Sequence, residues 1–444
     1  MQTVDFLISA RWVIPIEPAG VALEAHSVAV HQGRIVAIAP TAEALGRFAP
    51  GQHIERPSHV LLPGFVNAHT HAGMTLLRGA AEAATLDRWL SEEVRPLEQR
   101  WMDPEYVRDG TALAIADMLT SGTTCFADMH LFAEISAQAA AEAGMRAAIG
   151  VPVLDAPTIW ADSAGECLEK GLKLHDEYRD DPLVTAVLAP HAPEALSDET
   201  LMRVRRAADE LEMPMTMHVN ETAEQACADV PADPARRTIA RLERLGMLSP
   251  LLVAVHAVHV DAADLERLAR GGVHVVHCPQ SNLKLGNGVC PVPQLRAQGI
   301  NVALGTDGAA SNNDLDMLAE LRTAALLARG LFPQATVSAH EWLEVATLNG
   351  ARALGLSESI GSIAPGKWAD LCCIDLDRPQ TQPVYDPAVQ IVYSASRDQV
   401  SDVWVAGRAL VTDGTPTRID LTGLMERARR WGARIAGRGT SGSA

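Results

Sequence analysis

The sequence predicts an α/β fold, a (β/α)8 TIM-like barrel joined to a small β-sandwich built from both termini. Three observations predict it. Eight short apolar runs recur between residues 64 and 308, each ending in polar residues and separated by helix-like patterns. Each run is apolar or β-branched on both faces, as expected of strands buried in a parallel sheet. The two flanks instead alternate apolar and polar residues, the pattern of strands with one covered face.

In chain order, residues 2–62 carry the alternating runs DFLISARWVIPI and SVAVHQGRIVAIAP, the second turning at Gln32-Gly33. Residues 1–62 are therefore assigned to the sandwich. The barrel runs over 63–360. Its first four strands are GFVNAHTH (64–71), TTCFADM (123–129), MRAAIGVPV (145–153) and LVTAVLAPH (183–191). PMTMHVNE (214–221), LLVAVHAVH (251–259), GVHVVHCPQS (272–281) and INVALGTDG (300–308) follow. The spacers Pro104 to Thr120 and Asp261 to Arg270 read as helices, the second with Asp261 as its N-cap. Eight strand-plus-helix units are the count of this barrel. Residues 361–436 supply the rest of the sandwich, WADLCCIDL and VSDVWVAGRALVTDG with a hairpin at Ala406-Gly407, and a closing helix. The Gly/Ser-rich tail, 437–444, is expected to be mobile.

Composition narrows the function classes. The 444 residues carry 37 Lys plus Arg against 55 Asp plus Glu, a net charge of −18. That balance disfavours phosphate backbones and anionic membranes as partners. No apolar stretch approaches the ~20 residues needed to span a bilayer, and the first residues lack the order of a signal peptide. Seven cysteines without C-x-x-C spacing read as reduced, buried thiols. A cytoplasmic location is expected.

The polar strand ends carry the chemistry, because barrel enzymes keep their sites on that face. His69 and His71 close the first strand and, two apart on an extended segment, present imidazoles on one side, roughly 7 Å apart at the backbone. Alone, such a pair is common in ordinary loops. Further candidates are His191 after the fourth strand, His218 after the fifth, His256 after the sixth and Asp307 after the eighth. Three neutral imidazoles and one carboxylate suit Zn²⁺ or a similar divalent ion and leave a position for water. The fourth strand contains no Lys to bridge two metals, which favours one ion. Glu221, three residues after His218, can stand beside the metal and move a proton from water to a ring nitrogen, as the non-ligand Glu of unrelated zinc deaminases does. Asp307 is suited both to ligate and to accept a proton, and His256 to orient the water. Taken singly, Glu98 reads as a solvated helix face and Trp89 and Trp160 as core aromatics. His130, His175, His274 and His340 read as structural or surface residues, His277 as a packed or rim residue, and Cys125 and Cys278 as inert buried thiols.

The motifs LPGFVNAHTH (62–71), LLRG (76–79), APHAP (189–193), MHVNET (217–222), HCPQSNLKL (277–285), LGTDGAASNN (304–313) and GSIAPGKWADL (361–371) span nearly the whole chain. With Trp89 and Glu98, they resemble the amidohydrolase superfamily, in the group of 5'-methylthioadenosine/S-adenosylhomocysteine deaminases and related s-triazine chlorohydrolases. The resemblance implies that His69, His71, His218 and Asp307 hold one divalent ion per subunit, with zinc ahead of Fe, Mn, Co or Ni. It implies that Glu221 is the general acid/base and that His256, rather than His259, orients water. Glu98 would contact the ribose hydroxyls and His191 the nucleoside, while Trp89 and Ser311 would line the pocket. The implied reaction is hydrolytic deamination of an adenine nucleoside, 5'-methylthioadenosine before S-adenosylhomocysteine or adenosine, by a homo-oligomer of two or more subunits. The alternatives are a triazine, guanine, 8-oxoguanine or pterin substrate, and a non-catalytic scaffold, which typically loses the ligands kept here. One departure stands out. Relatives place an arginine after the third strand to hold the sugar or the carboxylate end, and residues 147–178 contain none. Pro157, Ile159 and Trp160 suit a methylthio group instead.

Overall fold

The computed structural model describes residues 1–82, 85–227 and 237–437; of the expected mobile tail, 438–444 lie outside the described residues. Four strands come first, β1 (Gln2–Val13), β2 (Leu23–His31), β3 (Arg34–Pro40) and β4 (Phe48–Pro63). The barrel strands are β5 (Phe65–Thr70), β6 (Thr123–Met129), β7 (Arg146–Val153) and β8 (Val184–Pro190). They continue with β9 (Met215–Val219), β10 (Leu252–His256), β11 (His274–His277) and β12 (Val302–Leu304). All eight expected runs are strands, and they neighbour one another in sequence order. Their side chains are almost all buried, each large aliphatic one contributing about 1.5–3 kcal/mol. The helix Pro104–Thr120 keeps its expected bounds, and Ala262–Gly271 starts on an Asp261 capping box.

A polar side chain closes the barrel seam between β12 and β5. Asn67 accepts from the Thr306 amide (2.9 Å) and donates to Thr306 Oγ1 (2.8 Å), while the Asp307 amide donates to the His69 carbonyl (3.0 Å). The backbones approach so closely that a Cβ on Gly305 would lie 2.8 Å from the His69 nitrogen. The first and last strands are thus locked where the candidate ligands sit.

The chain ends add β13 (Leu371–Asp375), β14 (Val400–Val405), β15 (Arg408–Thr412) and β16 (Thr415–Pro416). All eight flanking strands form one sheet, in the order β16-β15-β14-β13-β4-β1-β2-β3. Strand β4 joins the two termini, parallel to β1 and antiparallel to β13. Val28 and Ile35 share a core with Cys373 and Trp404, strands far apart in that order, so the sheet folds over itself into the layers of a sandwich. Both expected hairpin turns have positive φ at their central residues, 50° and 75° at Gln32-Gly33 and 47° and 75° at Ala406-Gly407. A buried ion pair ties sheet to barrel, Arg146 Nε to Asp370 Oδ2 at 2.7 Å. The helix Leu421–Ile435 packs on the barrel helix Pro104–Thr120, where Arg427 and Trp431 donate to Asp109 at 2.7 and 2.9 Å. No described helix is long and apolar enough to cross a membrane.

Candidate active site

The strand ends bring the expected ligand atoms together. Asp307 Oδ1 lies 3.3 Å from His71 Nε2 and 3.6 Å from His69 Nε2, and His69 Nε2 lies 3.2 Å from His218 Nε2. The end of β6 sets the His-X-His geometry. His71 Nδ1 donates to the Met129 carbonyl (2.5 Å), and Asp128 accepts from the Ala72 amide (2.7 Å). His218 Nδ1 donates to the His191 carbonyl at 2.9 Å. A carbonyl only accepts, so in both rings the proton sits on Nδ1 and Nε2 keeps its lone pair.

Burial disfavours the charged form of two of these rings. It lowers His69 to about 4 and, with the neighbouring rings, holds His218 well below the usual histidine range. For Asp307 burial acts in the opposite sense, yet the His69 hydrogen bond and the flanking imidazoles hold the carboxyl well below its normal value. Asp307 is further fixed by Ser281 Oγ (2.6 Å) and the Gly308 amide (2.7 Å). Groups of three such atoms, His69/His71/Asp307 and His69/His218/His256, lie within 4.8 Å of one another. Three imidazole nitrogens thus converge with one carboxylate oxygen, at separations of 3.2–3.6 Å. The donor set therefore fits a divalent metal.

Glu221 and His256 stand beside this cluster, with Oε2 and Nε2 3.7 Å apart. Burial, reinforced by the charge of Asp307, raises Glu221 to about 8. His256 Nδ1 donates to Asn282 Oδ1 at 2.9 Å. Asn220, His256 and Asp307 all adopt left-handed backbone angles, φ 52°, 73° and 62°, at the points where their strands end. Such angles are uncommon outside glycine and cluster at functional sites.

The residues expected on the substrate side are distributed more widely. The His191 ring lies 5.0 Å from that of His218, and its pKa is lowered to about 4 by burial and neighbouring positive charge. Ser311 is buried and donates to the Gly308 carbonyl at 3.0 Å. Glu98, on the helix Arg95–Trp101, pairs with His130 Nε2 at 3.7 Å, so His130 is linked to a candidate binding residue. Trp89 is buried among Met74, Leu77 and Tyr106, with its indole N–H unbonded. Trp160 stands apart from the cluster, donating to Glu134 (3.1 Å) and stacking beneath Lys170. Burial pushes the Cys125 thiol up to about 12 and holds Cys278 well above the usual thiol range, so both stay protonated, and all seven cysteines are free.

The profile of the amidohydrolase family matches residues 60–410. The chain belongs to the amidohydrolase family. A 5-methylthioadenosine/S-adenosylhomocysteine deaminase of Teredinibacter turnerae is 44% identical over 430 residues, 97% of each chain. A 5'-deoxyadenosine deaminase of Methanopyrus kandleri is 40% identical over 370 residues, covering 83% of this chain and 84% of that one. The crystal structure of an adenosine deaminase from Xanthomonas campestris with bound zinc superposes with a TM-score of 0.96. That chain is 47% identical, and the match covers 98% of this chain and 99% of that one.

Several polar residues of this amidohydrolase site were not singled out by sequence reasoning. Asn67 closes the barrel seam, Asp128 holds the turn after His71, and Ser281, Asn282 and Asn287 each bond a different residue of the cluster. A signal existed for two of them. Ser281 and Asn282 are adjacent polar residues just past a strand end, within HCPQSNLKL. Asn67 and Asp128 sit inside apolar runs, where a buried polar residue needs a partner that one sequence does not reveal.

Proposed function

We propose that this amidohydrolase deaminates an adenine nucleoside by hydrolysis, releasing ammonia and the inosine analogue. 5'-Methylthioadenosine is the first candidate, with S-adenosylhomocysteine and adenosine next. The observation that carries the reading is the placement of Glu221, a buried carboxyl group whose Oε2 lies 3.7 Å from His256 Nε2 beside a cluster of histidines and one aspartate. The names of the relatives differ at the 5' position of the sugar and share the adenine nucleoside.

His69, His71, His218 and Asp307 would hold the divalent ion, zinc first, as in the Xanthomonas structure. When bound, that ion lowers the pKa of the attacking water from ~16 toward ~7. With its Nδ1 proton committed to Asn282, His256 offers the Nε2 lone pair and orients the water. Asp307 accepts the proton that the water sheds. Glu221 protonates the purine N1 as oxygen adds to C6, and a proton then passes to the departing amine. Glu98 would accept from the ribose hydroxyls, His191 would contact the nucleoside, and Trp89 and Ser311 would line its pocket. Pro157, Ile159 and Trp160 would face a methylthio group. The same reading takes the enzyme as a cytoplasmic homo-oligomer, a dimer or larger.

Glu221→Gln keeps the shape and removes the transferable proton. It should retain bound metal and lose ~10²–10⁴-fold in kcat, the usual range for a general acid/base. Deamination of the three nucleosides is read from the ultraviolet shift of adenine to hypoxanthine. Full activity in the variant would sink the mechanism. No turnover of any of the three by the wild type would sink the substrate class and point to triazines.

A further inference from the structure

Glu221 has two carboxyl oxygens, and the fold treats them differently. Asn287 Nδ2 donates to Oε1 at 2.8 Å, with both side chains buried. Oε2 instead faces His256 Nε2 at 3.7 Å. In a protonated carboxyl the carbonyl oxygen is the better acceptor, so an N–H donated to Oε1 favours the proton on Oε2. We propose that Asn287 is a positioning residue that confines the transferable proton of Glu221 to Oε2, the oxygen turned toward the ligand cluster. The proposal rests on Glu221 being the proton carrier.

Asn287 is itself held by the strand ends. His259 Nε2 donates to the Asn287 carbonyl at 2.7 Å. The His259 carbonyl in turn accepts from Asn220 Nδ2 at 3.0 Å, and its amide donates to the Asn220 carbonyl at 3.1 Å. Asn220 immediately precedes Glu221, so the support of Asn287 and the backbone of Glu221 are built from the same two strands. This gives a role to His259, the second histidine after the sixth barrel strand. It holds the loop that aims the proton.

A placed proton matters most when C6 is a weak electrophile, so that Glu221 must protonate N1 for oxygen to add, and when the leaving group needs a proton as well. With adenosine, oxygen bonds to C6, the C6–N bond breaks, and nitrogen departs as ammonia only after gaining a proton. With 6-chloropurine riboside, C6 is more electrophilic and chloride leaves with the bonding pair, unprotonated. The two substrates share sugar and ring. Steady-state rates on both, with metal content and unfolding temperature, should be measured for Asn287→Ala and the isosteric Asn287→Asp, which lacks the amide donor. On adenosine, kcat should fall about 10- to 100-fold with KM within about twofold, a loss in the range of a hydrogen bond to a charged or proton-transferring group. On the chloro substrate the fall should stay within about threefold. His259→Phe should repeat the pattern more weakly. Equal losses on both substrates would mean a merely structural role and overturn the proposal, as would wild-type rates on both. Glu221→Gln is run alongside. If it is impaired while the Asn287 variants are normal, only this proposal fails; if it is fully active, the proposed function fails with it.

Discussion

The histidine–aspartate cluster and the wall around Glu98 lie at the same end of the barrel, yet they commit their polar groups differently. In the cluster, His71, His218, His256, Asp307 and Glu221 each have a hydrogen-bond partner that fixes a proton or a lone pair. Around Glu98, the indole nitrogens of Trp89 and Trp101 and the Tyr106 hydroxyl make no hydrogen bond, although all three atoms are buried, and His130 Nε2 faces Glu98 at 3.7 Å. The difference separates two tasks. Proton positions in the cluster are set by folding, as electrostatic preorganisation would require of a reacting centre. The wall around Glu98 keeps donors uncommitted, which suits a surface that reads a ligand's oxygens.

That contrast can be broken at its strongest point first. Asp307→Asn removes the carboxylate that balances the histidines. It should abolish metal retention and turnover together, by more than the ~10–100-fold that loss of an outer hydrogen bond costs. Metal analysis beside kcat checks it, and a metal-free variant that still turns over would dissolve the cluster's role. On the other wall, Glu98→Ala should act on binding. KM for a nucleoside should rise about tenfold, in the range of a lost hydrogen bond to a carboxylate, with kcat within about threefold. A 2',3'-dideoxy analogue should not notice the change; if it suffers equally, Glu98 serves the fold rather than the sugar. The smallest effect is expected at Trp160. Trp160→Phe keeps an apolar ring and loses the N–H to Glu134. It should cost about 1 kcal/mol of stability and leave KM for 5'-methylthioadenosine within about twofold.

Much of this was legible in the sequence, for identifiable reasons. The barrel strands show because doubly buried strands must be apolar throughout, and the helices between them because Asp261 and Pro104 mark their starts. The candidate ligands show because His69, His71, His218 and Asp307 interrupt apolar runs at their ends. The hairpins at Gln32-Gly33 and Ala406-Gly407 show through their turn residues. Hidden were features set by distant partners, such as the parallel pairing of β1 with β4 and the bond from Asn287 to Glu221 across 66 positions. His130, read as structural, turned out to face Glu98 because a helix about thirty residues upstream folds back over the end of β6.

The sheet shared by both termini also has a consequence in time. Strand β4 is complete at Pro63, but its antiparallel neighbour β13 begins only at Leu371. At ~5–20 residues per second, a ribosome needs roughly 15–60 seconds to make the ~300 residues between them. Throughout that interval residues 59–63 at the end of β4 lack their partner on one side, a short template for pairing with another extended chain. Nascent chains stalled before Leu371 should therefore be the form most readily captured by chaperones, and release of that hold should coincide with the emergence of β13.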